Sequence, residues 1–168
     1  RIDLGSIEQV LLRLEKLHAT KCLLHEDHQS NTVLVCFYTA VAEITEEIQK
    51  HALQYLSLYE TPALFLYLDQ LPVNVNGKVD TTRLSEMVQA KMQHVGIVEQ
   101  ETNLPYEEEL RATWTKALAQ KTFSIDDHFF MLGGNSMKMI LVINLLHKQL
   151  GIKLSVEEFH LNPTISGL

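Results

Sequence analysis

Asp126-Asp127-His128-Phe129-Phe130-Met131-Leu132-Gly133-Gly134-Asn135-Ser136 is the stretch on which the reading of this chain turns. Its two glycines allow a tight turn, and Ser136 stands where the apolar helical pattern of residues 137–150 begins. A serine at such a point is exposed and held by a rigid element. It also lies beside backbone N–H groups that favour an approaching phosphate. An ordinary Ser N-cap behind a glycine loop has the same short motif, so Gly-Gly-Asn-Ser alone leaves both readings open. A hydrolase nucleophile is disfavoured, because no glycine follows two positions after Ser136 and no strand precedes it.

Working outward, Gly151 supplies a left-handed end to the 137–150 helix. Ser155 with Glu158 forms a capping box for a short helix, and Asn162-Pro163-Thr164 opens a last one. Upstream, Leu110, Trp114, Ala117 and Leu118 form one helical stripe, with Trp114 expected in the core. Residues 105–168 therefore read as four helices, near the lower size limit for an independent core. On the long helix Met139, Val142, Ile143, Leu146 and Leu150 share one arc facing the bundle. Met137 and Leu141 fall on the opposite, wet side beside Asn144 and Lys148, as a candidate docking patch.

Residues 94–104 (HVGIVEQETNL) have no sustained period and read as a linker. Before it lies a module of alternating helices and strands. Ser6 with Gln9 forms a capping box ahead of Ile7, Val10, Leu11, Leu14 and Leu17 at helical spacing. Residues 32–41 (TVLVCFYTAV) predict a strand, preceded by a polar turn over residues 26–31. Thr45 caps a second helix with Glu46 and Glu47 in its first turn, striped by Ile48, Ala52, Tyr55, Leu56 and Tyr59 and stopped by Pro62. Residues 63–68 (ALFLYL) are another strand, Asn76-Gly77 marks a hairpin within residues 73–79, and Asp80 caps a third helix carrying Leu84, Val88 and Met92.

Of 168 residues, 14 Lys+Arg against 21 Asp+Glu give a net charge of -7, which repels phosphate backbones and argues against nucleic acid as a partner. Both modules are mildly acidic, with 8 basic and 12 acidic residues in 1–97 and 6 and 9 in 98–168. No apolar run approaches the ~20 residues of a membrane span, so no membrane partner is expected. Two cysteines make no disulfide framework and suit a reducing cytoplasm. Cys22-x-x-His25-x-x-His28, with Cys36 beyond, has ligand types and spacing compatible with zinc. The competing reading, a strand followed by a polar turn, is preferred because no knuckle glycines are present, so no metal site is expected. His18, His51, His94, His128, His147 and His160 are scattered and read as surface positions. The two ends of the chain look cut from something longer.

The whole segment from Asp127 to Ser136 resembles the phosphopantetheine attachment site of peptidyl carrier domains in nonribosomal peptide synthetases, Asp-x-Phe-Phe-x-Leu-Gly-Gly-x-Ser, matched without a gap. Leu150-Gly151, Leu154 and Asn162-Pro163-Thr164-Ile165 extend the likeness over residues 105–168. Pro72-Val73-Asn74-Val75-Asn76-Gly77-Lys78-Val79-Asp80 is similar to the Pro-x-x-x-Asn-Gly-Lys-Val-Asp motif closing the adenylation domains of the same enzymes. By residue chemistry alone it is a turn with a solvated lysine. Arg1-Ile-Asp-Leu-Gly-Ser-Ile-Glu looks like their Arg-Ile-Glu-x-Gly-Glu-Ile-Glu motif, with Asp3 and Ser6 in place of glutamates. Thr81 replaces a frequent Arg, and Met137 replaces a common Leu.

The resemblance implies an α+β small adenylation C-terminal subdomain over residues 1–93, a linker over 94–104, and an all-α four-helix-bundle carrier over 105–168. It implies that Ser136 takes a covalent 4'-phosphopantetheine from a phosphopantetheinyl transferase. It also implies that Lys78 contacts the substrate carboxylate and ATP phosphates during adenylation, a task suited to a mobile ammonium. ATP and magnesium would serve the full-length parent only, and the 168 residues alone should not adenylate. Partners would be a large adenylation subdomain upstream of Arg1, and condensation, thioesterase or reductase domains. Carboxylic acid reductases and aminoadipate reductases carry the same pair of modules. The alternative from another class is a non-catalytic interaction module.

Overall fold

The computed structural model describes residues 2–26, 32–93 and 104–168. It divides into two compact units, Arg1–Ala90 and Lys91–Leu168. The expected linker at 94–104 lies, but for Leu104, outside the described residues.

The first unit runs α1 (Leu4–Leu11), β1 (Leu17–Glu26), β2 (Thr32–Ala40), α2 (Thr45–Tyr55), β3 (Leu64–Tyr67) and, up to Ala90, α3 (Thr81–Gln93). Among the described residues its sheet has the order β1-β2-β3, with β1/β2 antiparallel and β2/β3 parallel. β2 is central and buried on both faces, which explains its near-continuous apolar run. Alternate residues Leu34, Cys36, Tyr38 and Ala40 pack with Ile7 and Leu11 of α1 and Ile48 and Ala52 of α2. His25 pairs in register with Val33 and so belongs to the other face. Its Nδ1 lies 3.4 Å from Ser85 Oγ, which ties α3 to that face.

Several local expectations fail here. The cap of α1 is Asp3, whose carboxylate accepts from Gly5 N and Ser6 N at 3.1 and 3.3 Å, not Ser6. α1 ends at Leu11, and Leu17 opens a ten-residue strand rather than closing a helix. That strand is poor in β-branched residues, and its pairing with β2 overrides local propensity. Thr45 is the first residue of α2, not its cap; its hydroxyl is engaged by Tyr38 Oη at 2.8 Å and Glu43 Oε1 at 3.0 Å. α2 stops at Tyr55, ahead of Tyr59, where Ser57 and Glu60 close a turn through a 2.6 Å hydrogen bond.

The second unit contains α4 (Glu107–Leu118), α5 (Ser136–Leu150), α6 (Val156–Leu161) and a 3-10 turn at Ile165–Gly167. The last expected helix is thus this turn, closed by Thr164 Oγ1 accepting from Gly167 N at 3.1 Å. Gly151 takes the left-handed conformation (φ 68) after α5, and Ser155 with Glu158 forms the capping box of α6. Trp114 is fully buried, 5.0 Å from Phe129 edge-to-face and 5.9 and 6.3 Å from Phe123 and Phe159. These rings form the core that positions the glycine loop.

Candidate functional site

Ser136 is the first residue of α5, but it does not cap the helix. Asn135 does, in extended conformation, its Oδ1 accepting from Lys138 N at 3.0 Å. The Ser136 side chain makes no hydrogen bond among the described residues and is half-buried. The hydroxyl is therefore free for chemistry, beside the orphan N–H groups of a fifteen-residue helix start.

The glycines shape the approach. Gly133 has φ +83, a left-handed value that disfavours other residues. A Cβ on Gly134 would stand 2.3 Å from Phe129 Cδ1 and 2.6 Å from the Phe129 carbonyl oxygen, so the ring and backbone leave no room for it. Gly134 N donates to that carbonyl at 3.0 Å, while Phe129 N donates to Pro163 O at 2.7 Å. Lys138 Nζ donates to Gly133 O at 2.8 Å, a contact of the loop that the sequence reading missed. The lysine's place in the first turn of α5 was the available signal.

Two histidines read as surface positions are in fact enclosed. His160 is buried and stacks on Phe130 at 5.1 Å, and His128 lies 5.8 Å from the same ring. His128 Nδ1 and His160 Nε2 are out of solvent contact with no partner among the described residues. Both are lowered to about 4, His160 by burial and His128 chiefly by burial, with a smaller contribution from the charge of His160. His51 is also not a free surface group: its Nε2 is 3.0 Å from Val10 O. His94 lies outside the described residues.

Met137 and Leu141 are 70% and 42% exposed on α5, while Met139, Val142 and Leu146 are buried. The expected helix orientation therefore holds at these positions.

In the first unit Lys78 sits on the turn after β3. Val73 and Val79 make an antiparallel bridge, Asp80 N donates to Pro72 O at 2.8 Å, and Gly77 has φ +77. The Lys78 side chain is exposed and makes no hydrogen bond or ion pair among the described residues. Asp80 caps α3 through Arg83 N at 3.0 Å, as its position in the sequence predicts.

Cys22 and Cys36 face each other across β1 and β2, both buried and free. Burial and the neighbouring Cys22 push the Cys36 thiol well up, which makes it a packing group rather than a nucleophile. His28, the third member of the weighed zinc spacing, lies outside the described residues. Among the described residues no three His, Cys, Asp or Glu side chains gather as a metal site, and no helix is long and apolar enough to cross a membrane.

Residues 108–168 match the family model of the phosphopantetheine attachment site. Tyrocidine synthase 3 of Brevibacillus parabrevis is 32% identical over 169 residues, and bacitracin synthase 1 of Bacillus licheniformis is 33% identical over 172. Each alignment takes in 100% of this chain, which spans 3% of the length of either relative. Among solved structures, McyG A-PCP complexed with phenylalanyl-adenylate shares the fold, with a TM-score of 0.58 at 24% identity, over 97% of this chain and 29% of that one.

Proposed function

We propose that this chain is a piece of a nonribosomal peptide synthetase, pairing the end of an adenylation domain with a peptidyl carrier domain, that Ser136 holds the 4'-phosphopantetheine arm, and that Lys78 serves adenylation in the full-length protein. One observation carries the first assignment: Asn135 caps α5, so the Ser136 hydroxyl is spent on nothing else. The glycine cradle and the helix start fit a phosphate ester. When bound, the arm supplies a terminal thiol able to hold an acyl group as a thioester. The chain's own contribution is to present an unbonded Ser136 Oγ at the start of a rigid helix and to keep the preceding loop fixed on Phe129.

Lys78 suits the first half-reaction, in which a carboxylate is activated with ATP and magnesium as an acyl-adenylate. A compact ammonium on a flexible stem can follow charge that develops on phosphate oxygens. We assign residues 1–93 to the adenylation subdomain, 94–104 to the linker and 105–168 to the carrier, counted as a four-helix bundle whose fourth member is the 3-10 turn. Met137 and Leu141 form the docking patch for the transferase and for condensation, thioesterase or reductase domains, supported by their exposure beside Ser136. The free, facing thiols of Cys22 and Cys36 suit a reducing cytoplasm.

The test is intact-mass spectrometry after incubation with coenzyme A and a broad-specificity phosphopantetheinyl transferase. The unsubstituted chain should gain one arm and Ser136→Ala none. An unmodified wild type, or a modified Ser136→Ala, refutes the assignment.

A further inference from the structure

The turn that carries Lys78 has almost nothing to lean on. Val75 is fully exposed, Val73 is 63% exposed, and a Cβ on Gly77 would meet no atom within 4 Å. Packing therefore cannot fix where the lysine starts from; internal hydrogen bonds must. Those bonds converge on one residue. Asn74 Oδ1 accepts from Asn76 N at 3.0 Å and from Lys78 N at 3.1 Å. Asn74 N donates to Lys78 O at 2.7 Å, and Asn74 O accepts from Gly77 N at 2.9 Å. Both backbone groups of Lys78 are thus bonded to Asn74, and the side chain of Lys78 to nothing among the described residues.

We propose that Asn74 is the positioning residue for Lys78, clamping its backbone so that a free ammonium projects from a fixed point. The proposal rests on the adenylation role given to Lys78 above. The physical logic is that reach and aim are separable. A long side chain supplies reach, but its ammonium finds a developing charge efficiently only when the Cα is held. In an exposed turn, two backbone N–H groups would otherwise bond water, and the loop would sample many conformers. The Asn74 carboxamide removes that freedom without touching the ammonium. A small residue here keeps the main-chain bonds possible but loses both side-chain bonds, so the loop loosens while the surrounding unit stays folded.

The experiment uses the full-length protein with Asn74→Ala, Asn74→Asp and Lys78→Ala. ATP–pyrophosphate exchange is measured with the acid that exchanges fastest in the unsubstituted protein, and thioester loading is measured from the corresponding supplied acyl-adenylate. Asn74→Ala should lower the exchange kcat about tenfold to hundredfold, the range expected when a reacting group is misplaced by about an ångström, with KM for ATP little changed. Loading should persist. Asn74→Asp keeps an acceptor oxygen for both N–H groups and should restore exchange. Amide hydrogen exchange at Lys78, followed by mass spectrometry, should accelerate in Asn74→Ala and not in Asn74→Asp. Unchanged pyrophosphate exchange in Asn74→Ala beside an inactive Lys78→Ala overturns the positioning role alone. Equal loss in both half-reactions with a lowered melting temperature overturns it as well, since that marks a structural residue. A fully active Lys78→Ala overturns the reading of Lys78 itself, and the role of Asn74 falls with it.

Discussion

Mild acid should melt the second unit through His128 and His160. Both are held at about 4 against an ordinary 6.5, chiefly because burial penalises the charged ring. The unfolded chain therefore takes up protons first as pH falls. Stability is complete above about pH 7, declines between 6.5 and 4, and levels off below that as far as these two groups are concerned. The ceiling is about 3 kcal/mol per histidine, and at pH 5 about 2 kcal/mol of each is already lost. The pair falls short of twice that, because part of the His128 shift is repulsion from a charged His160. A loss of about 3 kcal/mol is comparable to the whole stability expected of a core this small. Trp114 is the chain's single tryptophan and lies in the aromatic core of this unit, so its fluorescence reports the event without interference. Its chemical-denaturation midpoint should fall steadily from pH 7 to 5. The profile should be flatter in His160→Gln, whatever that variant's stability at neutral pH. A wild-type midpoint that is level from pH 7 to 5, or a His160→Gln profile parallel to it, refutes the reasoning.

Three further outcomes follow from the geometry. Gly134→Ala places a carbon 2.3 Å from the Phe129 ring and should destabilise the unit by about 1–3 kcal/mol, seen as a lower midpoint in denaturant, with slower modification of Ser136. Asn135→Ala removes the cap of α5 at a cost of about 1 kcal/mol, while Asn135→Asp restores both stability and the rate of arm transfer in a coenzyme A loading assay. Replacing Met137 and Leu141 together with glutamate should leave stability within about 1 kcal/mol, since both side chains are exposed. Transfer to or from a partner domain should nevertheless fail, and unfolding of the double variant instead would show that the two residues are core.

What the sequence disclosed depended on whether local chemistry or long-range pairing decided the element. Gly151, the Ser155–Glu158 box, Asp80 and the Asn76-Gly77 turn were legible because each is fixed within a few residues. β1 was legible only in part, as a strand at Cys22 with His25 already in a turn; its full span, Leu17–Glu26 with His25 inside it, forms only because β2 lies beside it. The enclosure of His128 and His160 was likewise invisible, because it depends on α6 and the loop before Ser136 meeting around Phe130. At the site, Ser136 and Lys78 were named from motifs, but the residues that hold them were not. Asn135 and Asn74 occupy variable positions of those motifs, and no pattern marks them until their hydrogen bonds are seen.

Those two asparagines resolve the same conflict in two unrelated settings. A side chain that must react cannot also be committed to holding its own backbone, yet a helix start and an exposed turn both leave backbone N–H groups in need of acceptors. Serine is itself a good cap, so Ser136 left to local preference could turn its hydroxyl toward the α5 amides. Asn135 occupies the cap first and leaves that hydroxyl outside the helix bonding. Lysine has no acceptor, so Lys78 could never hold its own turn; Asn74 accepts from that turn in its place. Asparagine suits both tasks because its short side chain brings an acceptor oxygen within reach of nearby backbone N–H groups. In each case one neutral oxygen fixes the main chain and leaves the neighbouring reactive group unbonded, ready for a substrate that the chain itself does not supply.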